Sequence, residues 1–321
     1  MKERDGWADS LRAVCMLWII CVAHMDEYLG CDWSSFPILL ITRAILATFT
    51  FLSGYYMSKK DLSDLSKIME FYCDRYRKIY IPYLISCCLM FLLHYLIDLK
   101  CISSWRQFIK ALLGISMLLG NPPSTIWYVL MLVIFYLITP LLLRQRSKYI
   151  AGILFWLGIY LLSVFASRVD DRLALYYPSY FLGLIFPKKW MESIQRDKFV
   201  SIVVMMIGSV GFCVFATAYD FKQRYFVFVI MTLFFVIFML GIGTVMDRFV
   251  LLRKTLSLLS YGGFFAYLFH RQFFGVIYYH IGNFSFGIAY GIALPMLIIV
   301  GYSLQKVFNI YIEKSARKIN A

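Results

Sequence analysis

Apolar runs long enough to cross a bilayer recur ten times along the chain, near residues 8–29, 36–58, 79–97, 125–143, 149–166, 173–187, 199–219, 225–246, 258–280 and 285–305. A helical span takes about 20 mostly apolar residues. The pattern therefore predicts an all-α, polytopic membrane protein of about ten transmembrane helices, with residues 1–321 forming a single integral-membrane domain. The sixth run is the shortest and relies on Tyr176, Tyr177, Tyr180 and Phe181 to fill the interface. Residues 104–119 follow another pattern, with Arg106 and Lys110 on one side and Leu112, Leu113, Met117 and Leu118 on the other. That arrangement predicts a helix lying in the interface rather than across it. The first run is too long for the apolar part of a signal peptide and lacks a small-residue cleavage site, so it is expected to remain as the first span.

Composition agrees with the pattern. The chain is 61% apolar and 16% charged, whereas soluble domains run about 45–50% and about 25%. A separate soluble domain, disorder and a disulfide scaffold are excluded. The net charge of +14 would in a soluble protein point to nucleic acid. Here it reflects the retention of Lys and Arg in cytoplasmic loops, and no nucleic-acid partner is expected. With both termini cytoplasmic, 22 of the 32 Lys and Arg lie in inside segments. Seven lie outside, namely Lys100, Arg106, Lys110, Arg168, Arg172, Lys222 and Arg224. That asymmetry predicts an even number of spans. The eight cysteines show no metal-ligand spacing and no metal is expected, while Cys31 and Cys101, both in outside loops, are left as an open pair.

Ionisable side chains inside spans are costly and are candidates for function by default. The first run carries Arg12 near its start and His24, Asp26 and Glu27 near its end; the second carries Arg43, the third His94, and the ninth His270 and Arg271. A histidine at membrane depth is a ready acid–base group, because its unperturbed pKa lies near neutrality. His24 and Glu27 are three residues apart, which on a helix places them on one face. A carboxylate beside an imidazole fixes its tautomer and stabilises its charged form. Arg43 reaches the same layer from the second run. In the alternative reading, Asp26 and Glu27 mark the water interface and Arg43 snorkels outward; His24, deeper beside these groups, is read as functional.

Two further clusters carry candidate chemistry. The stretch 59–78, read as an inside loop, ends in Arg75, Arg77 and Lys78 just before the third run. Three cations there suit a polyanionic phosphate ligand, for which arginine offers bidentate geometry, or they simply anchor the inner face. Outside, Trp127 and Tyr128 follow Pro122-Pro123. They can stack a sugar face, or they belong to the interfacial aromatic belt.

Taken in order, these segments resemble the integral-membrane acyltransferase family 3. The matching stretches are Asp9-Ser10-Leu11-Arg12 with the run to His24, Phe51-Leu52-Ser53-Gly54-Tyr55-Tyr56, the Arg75–Pro82 segment, Trp127-Tyr128 with Pro140, Tyr180-Phe181-Leu182-Gly183, and Leu259-Ser260-Tyr261-Gly262-Gly263 through His270. The resemblance implies an acyl donor from the cytoplasm, acetyl-CoA or another acyl-CoA, and an essential histidine that maps onto His24. It implies donor-binding roles for Arg12, Arg75, Arg77 and Lys78. Ser53 and Gly54 fall on the family's Ser-Gly motif, where a small residue lets the chain approach a ligand. The acceptor is then a surface carbohydrate or its lipid-linked precursor, with Trp127, Tyr128 and His270 on the acceptor side, in the inner membrane. His24 acts as general base or as nucleophile, Glu27 orients it, and Arg43 or a backbone donor stabilises the oxyanion. Sugar acceptor and membrane lipids are the expected partners, and a homo-oligomer is left open. The competing class is a polysaccharide-unit exporter or proton-coupled transporter. It should show repeats and broken helices, for which Gly241-Ile242-Gly243 and Gly262-Gly263 are the available break points.

One departure from the family yields a structural expectation. Eleven residues, Ala13 to Ala23, separate the first-span cation from the histidine, where the family usually has ten. A π-bulge absorbs one extra residue and is frequent at functional sites, so one is predicted between Arg12 and His24.

Overall fold

The computed structural model describes residues 5–30, 35–166, 168–218 and 225–319. Among them all regular structure is helical. The chain opens with α1 (Gly6–Trp18), a π-helical turn (Ile19–Ala23) and α2 (Asp26–Leu29), followed by α3 (Phe36–Ser58). Next come α4 (Leu65–Arg75), a second π turn (Tyr76–Tyr80) and α5 (Ile81–Ile97), then the short α6 (Trp105–Leu112) and α7 (Ser116–Leu119). Helices α8 (Trp127–Arg144), α9 (Lys148–Phe165), α10 (Arg172–Ile185), α11 (Lys188–Arg196), α12 (Lys198–Thr217), α13 (Tyr225–Asp247) and α14 (Val250–Ile281) follow. The chain ends in α15 (Phe286–Ile288), a third π turn (Ala289–Ala293) and α16 (Leu294–Ile319).

Eight of these helical stretches are long and apolar enough to cross a membrane, which makes this an all-α, multi-pass membrane protein. They coincide with eight of the ten expected runs. The other two differ for physical reasons. Helix α10 has 14 residues and at 1.5 Å per residue reaches about 21 Å, short of a hydrocarbon core of about 30 Å. Helix α14 has 32 residues, but Ser257, Ser260, His270, Arg271 and Gln272 reduce its apolar character. The stretch 59–78 is a helix rather than a loop from Leu65 onward. Asp64 caps it by accepting the Lys67 backbone N–H at 2.9 Å, and it runs through the π turn into α5.

The chain divides into two compact units, residues 1–56, 178–267 and 283–305 in one and residues 57–177, 268–282 and 306–321 in the other. In the first unit, helices cross closely where side chains are missing. A Cβ on Gly54 of α3 would overlap the Tyr180 carbonyl of α10, and a Cβ on Gly183 would overlap the Phe51 carbonyl. Gly262 of α14 faces the Tyr302 backbone of α16, and Gly301 faces that of Ala266. Small residues at such crossings let backbones meet at van der Waals distance, the usual source of cohesion between helices in lipid. Of the proposed break points, Gly241, Gly243 and Gly262 are packing glycines, where a Cβ would overlap a neighbour. Gly241, Gly243, Gly262 and Gly263 all lie inside uninterrupted helices.

In the second unit the amphipathic segment forms as two short helices. Ser104 caps α6 by accepting the Gln107 N–H at 3.2 Å, and Gly114, at φ 72°, turns the chain toward α7. The last carbonyls of a helix need outside donors. Tyr80 and Tyr83 supply them, to Leu112 O at 2.7 Å and Ala111 O at 3.2 Å. The same unit buries Gln272 of α14 against the Ser86 hydroxyl of α5 at 2.6 Å. The expected partner of Cys101, Cys31, lies outside the described residues.

Candidate active site

Arg12 stands in a buried polar cluster at the start of the first helix. Asp9, one turn earlier and 1% exposed, accepts from the Arg12 guanidinium at 3.0 Å. The Ser257 and Ser260 hydroxyls of α14 donate to the same carboxylate at 3.2 and 3.3 Å. The guanidinium lies 4.4 Å from the centre of the Tyr56 ring, and the Tyr56 hydroxyl donates to Asp5 at 2.9 Å. A buried carboxylate is tolerated only when its lone pairs are met in this way. Arg12 keeps 35% of its side chain exposed, so part of its fork remains open to a ligand. Asp9→Ala removes the shared acceptor and is expected to cost about 2 kcal/mol, read as a lower Tm of the detergent-solubilised protein.

The π turn Ile19–Ala23 lies between Arg12 and His24, as the eleven-residue spacing requires. Helical geometry ends at its last residue. His24 has φ −129° and ψ −10°, and the chain becomes helical again only at Asp26. His24 is half-buried and Glu27 exposed. The helical period from which His24 and Glu27 were expected to share a face is interrupted between them, at His24 and Met25. Asp26 instead accepts the Glu27 backbone N–H at 2.9 Å, as a first-turn carboxylate does. In α3, Thr42 accepts from the Trp18 indole at 3.0 Å, tying α3 to the residue just before the π turn. Its neighbour Arg43 has its guanidinium carbon 5.9 Å from the Phe228 ring centre. The Ser53 hydroxyl donates to Phe49 O at 3.0 Å. At Gly54 the close neighbour is the protein's own backbone, which occupies the space a ligand would need.

The three cations of the arginine segment are not equivalent. Arg75 pairs with Asp74, and Lys78 reaches the same carboxylate at 2.5 Å. Arg75 also lies 5.9 Å from the Tyr136 ring centre. Among the described residues Arg77 has no such carboxylate, and it lines a cavity of about 400 Å³ with Tyr72, Cys73, Tyr76, Ile81 and Tyr311. A guanidinium among tyrosine rings offers a charge for phosphate and flat faces for a planar ring.

The residues expected on the acceptor side do not form an open platform. The Arg172 guanidinium covers Trp127 at 4.1 Å and is itself fixed by Asp170, at 2.7 and 2.5 Å. Tyr128 is buried and His270 is 0% exposed. One face of Trp127 thus packs on a cation and is closed to a sugar. Among the described residues no group of three His, Cys, Asp or Glu could hold a metal ion.

A family model described as an acyltransferase domain matches residues 5–305, nearly the whole chain and all of the segments above. The chain belongs to acyltransferase family 3. No curated protein and no solved structure matches it. As a family 3 acyltransferase it is a multi-pass membrane transferase, and the two break points named for a carrier, Gly241-Ile242-Gly243 and Gly262-Gly263, lie within continuous helices. The sequence assigned no site role to Asp9, Tyr56, Ser257 and Ser260 around Arg12, nor to Tyr72, Tyr76 and Tyr311 around Arg77. Asp9, three residues from Arg12, and Tyr72 and Tyr76, close before Arg77, were near in sequence; the others were not.

Proposed function

We propose that this family 3 protein transfers an acyl group, acetyl in the first instance, from cytoplasmic acyl-CoA to a hydroxyl of a surface carbohydrate or its lipid-linked precursor. It sits in the inner membrane with ten spans and both termini cytoplasmic. The observation that carries the reading is the family match over residues 5–305 together with His24 at the break that closes the first long helix. His24 accepts the proton of the acceptor hydroxyl. The oxygen attacks the thioester carbonyl, the new C–O bond forms as the C–S bond breaks, and the CoA sulfur leaves as a thiol with the proton returned by the imidazolium. In the covalent variant His24 itself takes the acyl group first and passes it to the acceptor. Arg43 stabilises the developing oxyanion. Arg77 holds a donor phosphate while Tyr72, Tyr76 and Tyr311 face the nucleotide; Arg12 offers a second cation for the donor.

The donor role separates the cations of the arginine segment. Arg77→Ala is expected to raise the KM for acetyl-CoA about tenfold, the loss of one charge-assisted contact, with kcat nearly unchanged. Arg75→Ala, whose charge is already met by Asp74, is expected to change KM less and to lower Tm more. Initial rates and melting curves of the two variants in detergent check this. Equal KM values for Arg77→Ala and wild type would remove the nucleotide from this pocket.

A further inference from the structure

The segment Asn283–Tyr290 holds the turn that carries His24 from both sides. Upstream, the Tyr290 hydroxyl donates to the Cys21 carbonyl at 2.8 Å. Cys21 lies inside the π turn, near the end of a helix, where carbonyls have run out of partners one turn ahead. Downstream, the Phe284 N–H donates to the Tyr28 carbonyl at 2.7 Å, and the two rings stack with centres 5.6 Å apart. Two residues further, the chain turns at Gly30 with φ 66°. A side chain there would meet the Asn283 amide at 3.0 Å. His24 is thus bracketed three residues before and four after by one stretch of chain. That stretch has a defined shape of its own, with Ser285 capping α15 by accepting the Ile288 N–H at 3.3 Å and Tyr290 set within the third π turn.

We infer that Tyr290 is a positioning residue for His24, fixing the π-bulged form of the first helix and hence the direction in which the imidazole leaves it. A helix with one extra residue has a competing form, because it can close as a regular α-helix without the bulge, which turns everything beyond that point by about 100°. A hydroxyl bonded to the carbonyl at position 21 favours the form with the bulge at Ile19–Ala23. Reacting groups misplaced by about 1 Å lose on the order of a hundredfold in rate. The inference rests on the reading that His24 is the reacting group.

Tyr290→Phe removes the hydroxyl and keeps the ring. With acetyl-CoA as donor, kcat is expected to fall about tenfold while the KM for acetyl-CoA stays within about twofold of wild type. Tm is expected to change little. In the folded, monodisperse protein, carbethoxylation of His24 by diethyl pyrocarbonate, followed by peptide mass spectrometry, is expected to be several-fold faster in Tyr290→Phe as the turn loosens. Wild-type kcat and labelling rate in the variant would overturn the inference. So would a lower kcat with an unchanged labelling rate, which marks a general structural effect. His24→Ala, assayed alongside, keeps the two levels apart. If that variant retains wild-type turnover, the reading of His24 itself fails; if it is inactive while Tyr290→Phe behaves as wild type, only the role of Tyr290 fails.

Discussion

His24→Gln is expected to lower kcat for acyl transfer by about a thousandfold while leaving donor binding and the fold intact. Loss of a general base costs about 10²–10⁴ in rate, and a nucleophile that no longer exists costs at least as much. Glutamine preserves the side chain's length and polarity, and the site it occupies is a turn rather than a packed helix face. The Kd for acetyl-CoA should stay close to wild type, because the charged contacts assigned to the donor belong to Arg77 and Arg12. The check pairs calorimetric titration of acetyl-CoA with turnover in proteoliposomes made from native-membrane lipid extract, which supplies lipid-linked sugars. Wild-type turnover in the variant would take His24 out of the chemistry.

Gly54→Val is expected to destabilise the protein by about 3 kcal/mol, enough to lose most of it on solubilisation. The first carbon of any side chain at Gly54 overlaps the Tyr180 carbonyl, and the Leu184 backbone lies 3.1 Å from the same point. Backbone cannot rotate away as a flexible side chain does, so α3 and α10 must separate. Overpacking of this kind costs about 1–3 kcal/mol, occasionally more. The opposing gain in helix propensity over glycine is about 0.5 kcal/mol. Gly183→Val, on the other side of the crossing, should have an effect of similar size. Thermal melts in detergent decide between packing and ligand approach at Gly54. A normal Tm with a raised KM for acetyl-CoA would restore the ligand.

The helices were legible because lipid enforces a simple rule: a spanning segment must be apolar along its whole length and bond its own backbone. That rule finds eight of the ten runs and falters at α10 and α14, where polar residues and a short length are sheltered by protein. The π turn before His24 was legible for a different reason. An insertion of one residue in a helix whose two ends are both fixed has few places to go. The surroundings of the site were less readable. Nothing in the sequence ties Asp9 to Ser257 and Ser260, some 250 residues away. Asp74 stood next to Arg75, yet only side-chain geometry shows that it pairs with both Arg75 and Lys78 while Arg77 lines the cavity. The interruption of the helix after Ala23, between Arg12 and Glu27, was legible only as an extra residue and not as a turn at His24 itself. Trp127 read as a stacking or interfacial aromatic because its cover, Arg172, comes from the start of α10.

The most direct measurement follows the acyl carbon itself. Wild type and His24→Ala, in proteoliposomes made from native-membrane lipid extract that supplies the acceptor, are mixed in excess with [1-14C]acetyl-CoA in a single turnover, quenched at intervals, and the label remaining on CoA is counted. The account predicts that label leaves CoA in the wild type, to the acceptor or by way of the protein, and stays on CoA in the variant. Label departing at the same rate from both, or from neither with every acyl-CoA supplied, would contradict it.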